Sequence, residues 1–188
     1  MAYASINKPG LYFNTKLFTG NGSNGHAITG VGFQPDWVWL KNRSGATAHV
    51  LVDVLRGQNK VLNSNNSGAE TTTNANKDFR SFDSDGFTVD TNENFGSTNT
   101  NGANIASWCW KANGTGSANT DGSVNSTVSV NTTAGFSICS FTQANSGPIT
   151  IGHGLGVAPD MIIGKSRGNT SNWQIFHKSL GTGKFIQL

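Results

Sequence analysis

The sequence predicts an all-β protein made of antiparallel β-sandwich modules, jelly-roll or lectin-like, with little or no helix. Three observations lead there. Apolar segments are short and separated by Gly/Asn/Ser/Asp clusters, the pattern of strands and turns. No window of about ten residues carries a capped apolar stripe at helical spacing. One strand-and-turn pattern also occurs twice. Composition agrees with a folded chain. Of 188 residues 35% are hydrophobic and only 12% charged, with five tryptophans and eleven phenylalanines. Disordered chains show the opposite balance of high charge and few aromatics.

In chain order, the first predicted strands are 11–19 (LYFNTKLFT), 37–42 (WVWLKN), 48–55 (AHVLVDVL) and 60–64 (KVLNS). Next come 79–83 (FRSFD) and 86–90 (GFTVD), joined as a hairpin because Asp-Gly favours turns that need positive φ, then 105–112 (IASWCWKA). A second set follows at 126–131, 135–142, 148–152, 160–166, 172–179 and 184–188.

The repeat is the most informative property. FNTKLFT (13–19) returns as FSICSFT (136–142), and GVGFQPDWVWLKNRSG (30–45) as GLGVAPDMIIGKSRGN (154–169). Gly30, Gly32, Pro35, Asp36, Lys41 and Arg43 match Gly154, Gly156, Pro159, Asp160, Lys165 and Arg167, and Gly57 and Lys60 match Gly181 and Lys184. The implied organisation is an N-terminal arm and first strand (1–15), a first module (16–112), a Gly/Asn/Ser/Thr-rich linker (113–133) and a second, incomplete module (134–188). The second copy lacks counterparts of residues 65–112; either the natural chain continues, the favoured expectation because a sheet cut there leaves an open edge, or the second copy is a half-unit packing on the first.

Charge narrows the partners. The net charge is +3, but Lys and Arg are scattered singly and the middle of the chain is acidic, whereas phosphate contacts need a clustered basic face. Nucleic acid is not an expected partner. No run approaches the ~20 apolar residues of a membrane span, and MAYASINKPGLYFN lacks the layout of a secretory signal. Cys109 and Cys139 sit within apolar strands and read as buried free thiols, with a disulfide between them as the alternative. Asn-x-Ser/Thr matches at Asn21, Asn113 and Asn131 are expected by chance in so Asn- and Thr-rich a chain.

Candidate sites start with Trp37 and Trp39. Both lie on one face of their strand, where they could stack on sugar rings with Lys41 and Arg43 as cationic helpers. Met161 and Ile163 replace them in the second copy, which favours a core strand apolar on both faces. Lys41, Arg43, Lys165 and Arg167 are candidate ligand or interface residues; the alternative is that they cover the end of the sandwich or pair with Asp36 or Asp160. Asp83 and Asp85 with Asp90 and Glu93 are spaced somewhat like the ligands of a calcium loop, but DSDGFTVDTNEN has Asn where an EF-hand needs its twelfth-position Glu, so turn chemistry is the reading. The four histidines share no metal-ligand spacing, and there is no Gly-x-Ser-x-Gly elbow. The glycine-rich runs precede strands, so they are not phosphate loops. No catalytic residue, cofactor or metal is assigned, and no pair of acids stands out for glycoside hydrolysis.

KLFTGNGS (16–23), ITGVGFQPDWVWLKNRSG (28–45), LVDVLRG (51–57), SFDSDGFTV (81–89), ASWCWKAN (106–113) and IGHGLGVAPDMIIGKSR (151–167) together resemble a family of structural proteins of marine tailed phages, often labelled tail fibre. The resemblance implies repeated β-sandwich modules and a non-enzymatic virion component, a tail fibre or fibre-like appendage for host attachment. It also implies assembly in the host cytoplasm with other virion proteins, a homo-oligomer (a trimer by analogy) and possible contact with host glycans. A capsid decoration or head-fibre protein, and a carbohydrate-binding or polysaccharide-degrading module, are the alternatives.

Overall fold

The computed structural model describes residues 6–74, 78–91, 96–143 and 147–188. The chain is all-β, and its described strands pair antiparallel. In the first repeat the strands are β1 (Phe13–Thr19), β2 (His26–Ile28), β3 (Trp37–Asn42), β4 (Val50–Asp53), β5 (Lys60–Val61), β6 (Thr71–Thr72), β7 (Phe79–Asp83), β8 (Gly86–Val89) and β9 (Asn104–Trp110). Then follow β10 (Ser117–Asn119), β11 (Ser126–Asn131), β12 (Phe136–Phe141), β13 (Met161–Gly164), β14 (Gln174–His177) and β15 (Ile186–Gln187).

Two sheets make the first repeat a sandwich. One runs β1-β9-β3-β4 and the other β2-β8-β7. Strand side chains alternate between faces, so β3 sends Val38 and Leu40 inward, where both are fully buried. They join Val50, Val52, Ile105 and Cys109 against Ile28, Phe79, Phe87 and Val89 of the facing sheet. Every one of these groups is apolar, as a close-packed interior requires.

The hairpin at FDSDGFTVD forms, though for a different reason than the Asp-Gly rule suggests. Asp83 pairs with Gly86, which leaves Ser84 and Asp85 as the turn and makes Gly86 the first residue of β8. Glycine is required there because φ is 153° and a Cβ would overlap the Ile28 carbonyl oxygen.

The polar stretch 113–133, expected as a linker apart from the strand at 126–131, contains that strand as β11 and also β10, and they pair with β12 in the order β10-β11-β12. Val128 and Ser129 there are buried. Apolar alternation in STVSVN suffices for a strand once β12 offers an edge. Expected strand 148–152 reduces to one parallel bridge between Ile151 and Val124.

The second repeat reproduces the backbone of the first. Trp37↔Asp53, Val38↔Val52, Trp39↔Leu51 and Leu40↔Val50 are answered by Met161↔His177, Ile162↔Phe176, Ile163↔Ile175 and Gly164↔Gln174, each 124 positions on. Outlying bonds follow the same offset. The Val54 N–H donates to the Asp36 carbonyl as Lys178 does to Asp160, and Lys60 donates to Gly57 as Lys184 does to Gly181. The glycine turns agree too: φ is 76° and 89° at Gly30 and Gly32, and 71° and 73° at Gly154 and Gly156.

What differs is the neighbour. In the first repeat β9 lies between β1 and β3. In the second, β13 pairs with β14 alone among the described residues. Val38 is therefore 0% exposed and its counterpart Ile162 is 51% exposed. Substitutions should report the contrast. Leu40→Ala is expected to cost about 2–5 kcal/mol through lost burial and a residual cavity, and Ile162→Ala less than about 0.5 kcal/mol. Denaturant unfolding measures both; equal costs would contradict the asymmetry.

Candidate functional site

Trp37 and Trp39 stand on the face of β3 opposite the core, both half-buried. Their cross-strand partners in β9 are Trp110 and Trp108, so one sheet face carries four tryptophans. Trp37 stacks on Trp110 at 4.6 Å between ring centroids, and Trp39 meets Trp108 edge-on at 6.0 Å. The Trp39 indole N–H donates to Nδ1 of His49 at 2.8 Å, and burial, with Lys41 nearby, pushes the His49 pKa down, favouring the neutral ring that can accept.

This face receives the rest of the chain. Phe136, the first residue of β12, lies parallel to Trp37, 5° between planes and 5.8 Å between centroids. Trp173, the fifth tryptophan, is buried against Leu51 and Leu62 in a cluster flanked by Trp37 and Trp39, and its indole N–H donates to the Asn63 carbonyl at 2.8 Å. All five tryptophans thus lie along the seam between the repeats. Offset aromatic contacts of this kind add to simple area burial. Sequence reasoning does not reach Trp173, Phe136, Trp108 or Trp110. The signal available is SWCW, whose two tryptophans share the i, i+2 spacing of Trp37 and Trp39.

The Lys-x-Arg pairs divide by role. Lys41 donates to the carbonyls of Gly45 and Thr47, and Lys165 to Ser166, to Asn169 and to the Ser171 hydroxyl. Each lysine therefore braces its own following loop. Burial holds the Lys165 pKa below its ordinary value. Arg43 is exposed, and its backbone N–H donates to the Asn104 carbonyl. Arg167 instead grips Glu70 of the first repeat, Nε and Nη2 each 2.9 Å from a carboxylate oxygen, and donates through Nη1 to Ser140. Glu70 also meets Arg56, which is tied to Asp53. Burial alone would raise the Glu70 pKa, but Arg167 and Arg56 outweigh it and hold the carboxyl below its ordinary range. None of the four basic residues pairs with Asp36 or Asp160. Asp36 accepts from the Ala112 N–H at 2.7 Å, and burial pushes its pKa up; Asp160 pairs with Lys178 at 2.7 Å.

Of the four acids spaced like a calcium loop, the three described are each engaged separately. Asp85 accepts from the N–H groups of Gly32 and Gly30, which lower its pKa. Asp83 accepts from the Ser81 and Thr88 hydroxyls. Asp90, fully buried, takes the Gly25 N–H and the Arg80 guanidinium. Glu93 lies outside the described residues. No three His, Cys, Asp or Glu side chains converge among the described residues. Both cysteines are free, so the disulfide alternative does not hold, and burial pushes the Cys109 thiol up to about 12. No described helix is long and apolar enough to cross a membrane.

Two measurements test the seam. Trp173→Ala should weaken docking of the second repeat by about 3 kcal/mol, with faster amide exchange over 173–188 and unchanged exchange in β3; unchanged exchange in both would contradict the anchor. Because the Glu70 pKa is depressed in the folded state, its contribution is present above the ordinary glutamate value of 4.5 and lost as pH falls below it. Glu70→Gln should abolish that acid-induced loosening. It should cost only about 1 kcal/mol at neutral pH, since Arg167 is partly exposed and screened.

The family described as a domain of unknown function (DUF7483) matches residues 8–188. No curated protein and no solved structure matches the chain. The match runs from the residues leading into β1 through β15, so it takes in both repeats and the tryptophan seam: the chain belongs to the DUF7483 family.

Proposed function

We propose that the protein is a non-enzymatic structural component of a tailed-phage particle, a tail fibre or fibre-like appendage that takes part in host attachment. One observation carries the reading. The acids at the repeat junction and at the sandwich end, Asp36, Asp53, Glu70 and Asp85, hold the chain together, each bonded to backbone N–H groups or to an opposite charge. Asp53 and Glu70 tie the two repeats together through Arg56 and Arg167, and Asp36 and Asp85 hold turns of the first repeat, so each has a structural task in the fold. The repeat-built β architecture, the uncharged Asn/Ser/Thr/Gly-rich surface and the sequence resemblance to phage structural proteins support the same assignment. Such a surface can hydrogen-bond host glycans, and its function would then come from repetition and display.

The test is immunogold electron microscopy of particles of a phage encoding this chain, with antibody raised to it. Label along the tail or its appendages is the expected result. Label confined to the head shell would assign it to capsid decoration, and size reduction of host polysaccharide by the purified protein would make it an enzyme; either would overturn the proposal.

A further inference from the structure

The second repeat keeps a place for structure that the first repeat already contains. Antiparallel pairing alternates, so successive residues turn their N–H groups to opposite sides. At β3 the Asp36 carbonyl accepts from the Val54 N–H, so across the trans peptide the Trp37 N–H turns away from β4, and from there the odd positions face β9, as Arg43-to-Asn104 shows. In β13 the Lys178-to-Asp160 bond fixes the same alternation. Met161, Ile163 and Lys165 therefore turn their N–H groups to the side where Trp37, Trp39 and Lys41 meet β9. An unpaired strand edge is a template for another strand.

The face beside that edge is open as well. Ile162, Gly164, Gln174, Phe176 and Phe185 line a groove of about 390 Å³. Their counterparts Val38, Leu40, Val50, Val52 and Val61 are all essentially inaccessible, packed in one core with Phe79, Phe87 and Val89. Gly164 stands where the first repeat has Leu40, leaving room for a larger side chain from above. At the end of the edge, Asp160 occupies the position from which Asp36 holds the Ala112 N–H beyond β9.

We propose that the β13 edge and the β13–β14 face form an assembly site for a β-segment of the kind that completes the first repeat, a strand like β9 added antiparallel to β13 with an aromatic hairpin like β7–β8 over the groove. The chemistry of the occupant follows from the first repeat. Its strand is uncharged, with small or apolar groups inward as in Ile105, Ser107 and Cys109, and its hairpin brings two aromatic rings to the places of Phe79 and Phe87. A second copy pairing β13 to β13 would leave Ile162, Phe176 and Phe185 in water. A glycan would leave the edge N–H groups without a strand partner. The proposal is independent of the viral reading.

Leu188 answers to Ser64, so the site can be filled by a variant chain carrying a copy of residues 65–112 directly after Leu188. Amide exchange read by NMR should show Met161 and Ile163 slowed at least about 100-fold relative to the unextended chain. Ile162→Asp should leave the unextended chain unchanged and abolish the gain in the extended one. A synthetic peptide copying residues 104–112, added to the unextended chain, should protect the same two amides and supplies the test should the long variant not fold. Unchanged exchange at Met161 and Ile163 with both additions, while Trp37 and Trp39 stay protected, would overturn the proposal. So would an unextended chain that is dimeric in solution with these amides already slow, since the occupant would then be a second copy.

Discussion

The structure depends on β9 lying between β1 and β3. From that position it closes the ladder on both sides, with Phe13↔Trp110 and Trp37↔Trp110 sharing one residue of the central strand. Its inward residues Ile105 and Cys109 complete the core, and its outward ones, Trp108 and Trp110, build the tryptophan face. It also makes burial of Asp36 tolerable, because the chain just beyond β9 supplies the Ala112 N–H to the carboxylate. Among the described residues β13 has no such neighbour, and there the matching aspartate is on the surface with its side chain 64% exposed and takes Lys178 as partner. The same local sequence thus yields a buried turn in one repeat and an exposed one in the other. The difference comes from who sits alongside.

The first repeat meets the second through the face that it turns away from its core. Aromatic stacking of Phe136 on Trp37 and the insertion of Trp173 beside Leu51 and Leu62 provide the apolar part. The chain Asp53–Arg56–Glu70–Arg167–Ser140 provides the polar part, and crosses the seam at Glu70. The repeat has diverged where it serves this junction. Lys41 and Lys165 do equivalent work on equivalent loops, whereas Arg43 lies in solvent and Arg167 clamps the other repeat. Duplication preserved backbone pairing, and side chains were free to specialise once they faced a different neighbour.

Much of this is legible in residues alone. Short apolar runs bounded by turn residues place the strands β3, β7 and β11 at their observed limits, and the recurrence of Pro-Asp and Lys-x-Arg at one offset reveals the repeat that the pairing reproduces. Short strands escape. His26–Ile28, Thr71–Thr72 and Ser117–Asn119 hold two or three residues each, too few to show a period, and they exist because β8, β5 and β11 offer them an edge. For the tryptophans of β3 the residues alone weigh core against ligand platform. They are packed, but against the second repeat and not inside the sandwich, because which covering face a strand finds is a long-range property. Glu70 gives no sign of its role across the seam, because its partner there, Arg167, is 97 residues away.

The most direct test of the two-repeat architecture is residue-resolved amide hydrogen exchange on the unextended chain along β13. The structure requires alternation, with Ile162 and Gly164 slow because they face β14 and Met161 and Ile163 fast because their side is open, while Trp37 to Leu40 are uniformly slow. Uniform protection along Met161–Gly164 would show that the second repeat is already closed and would contradict the open edge.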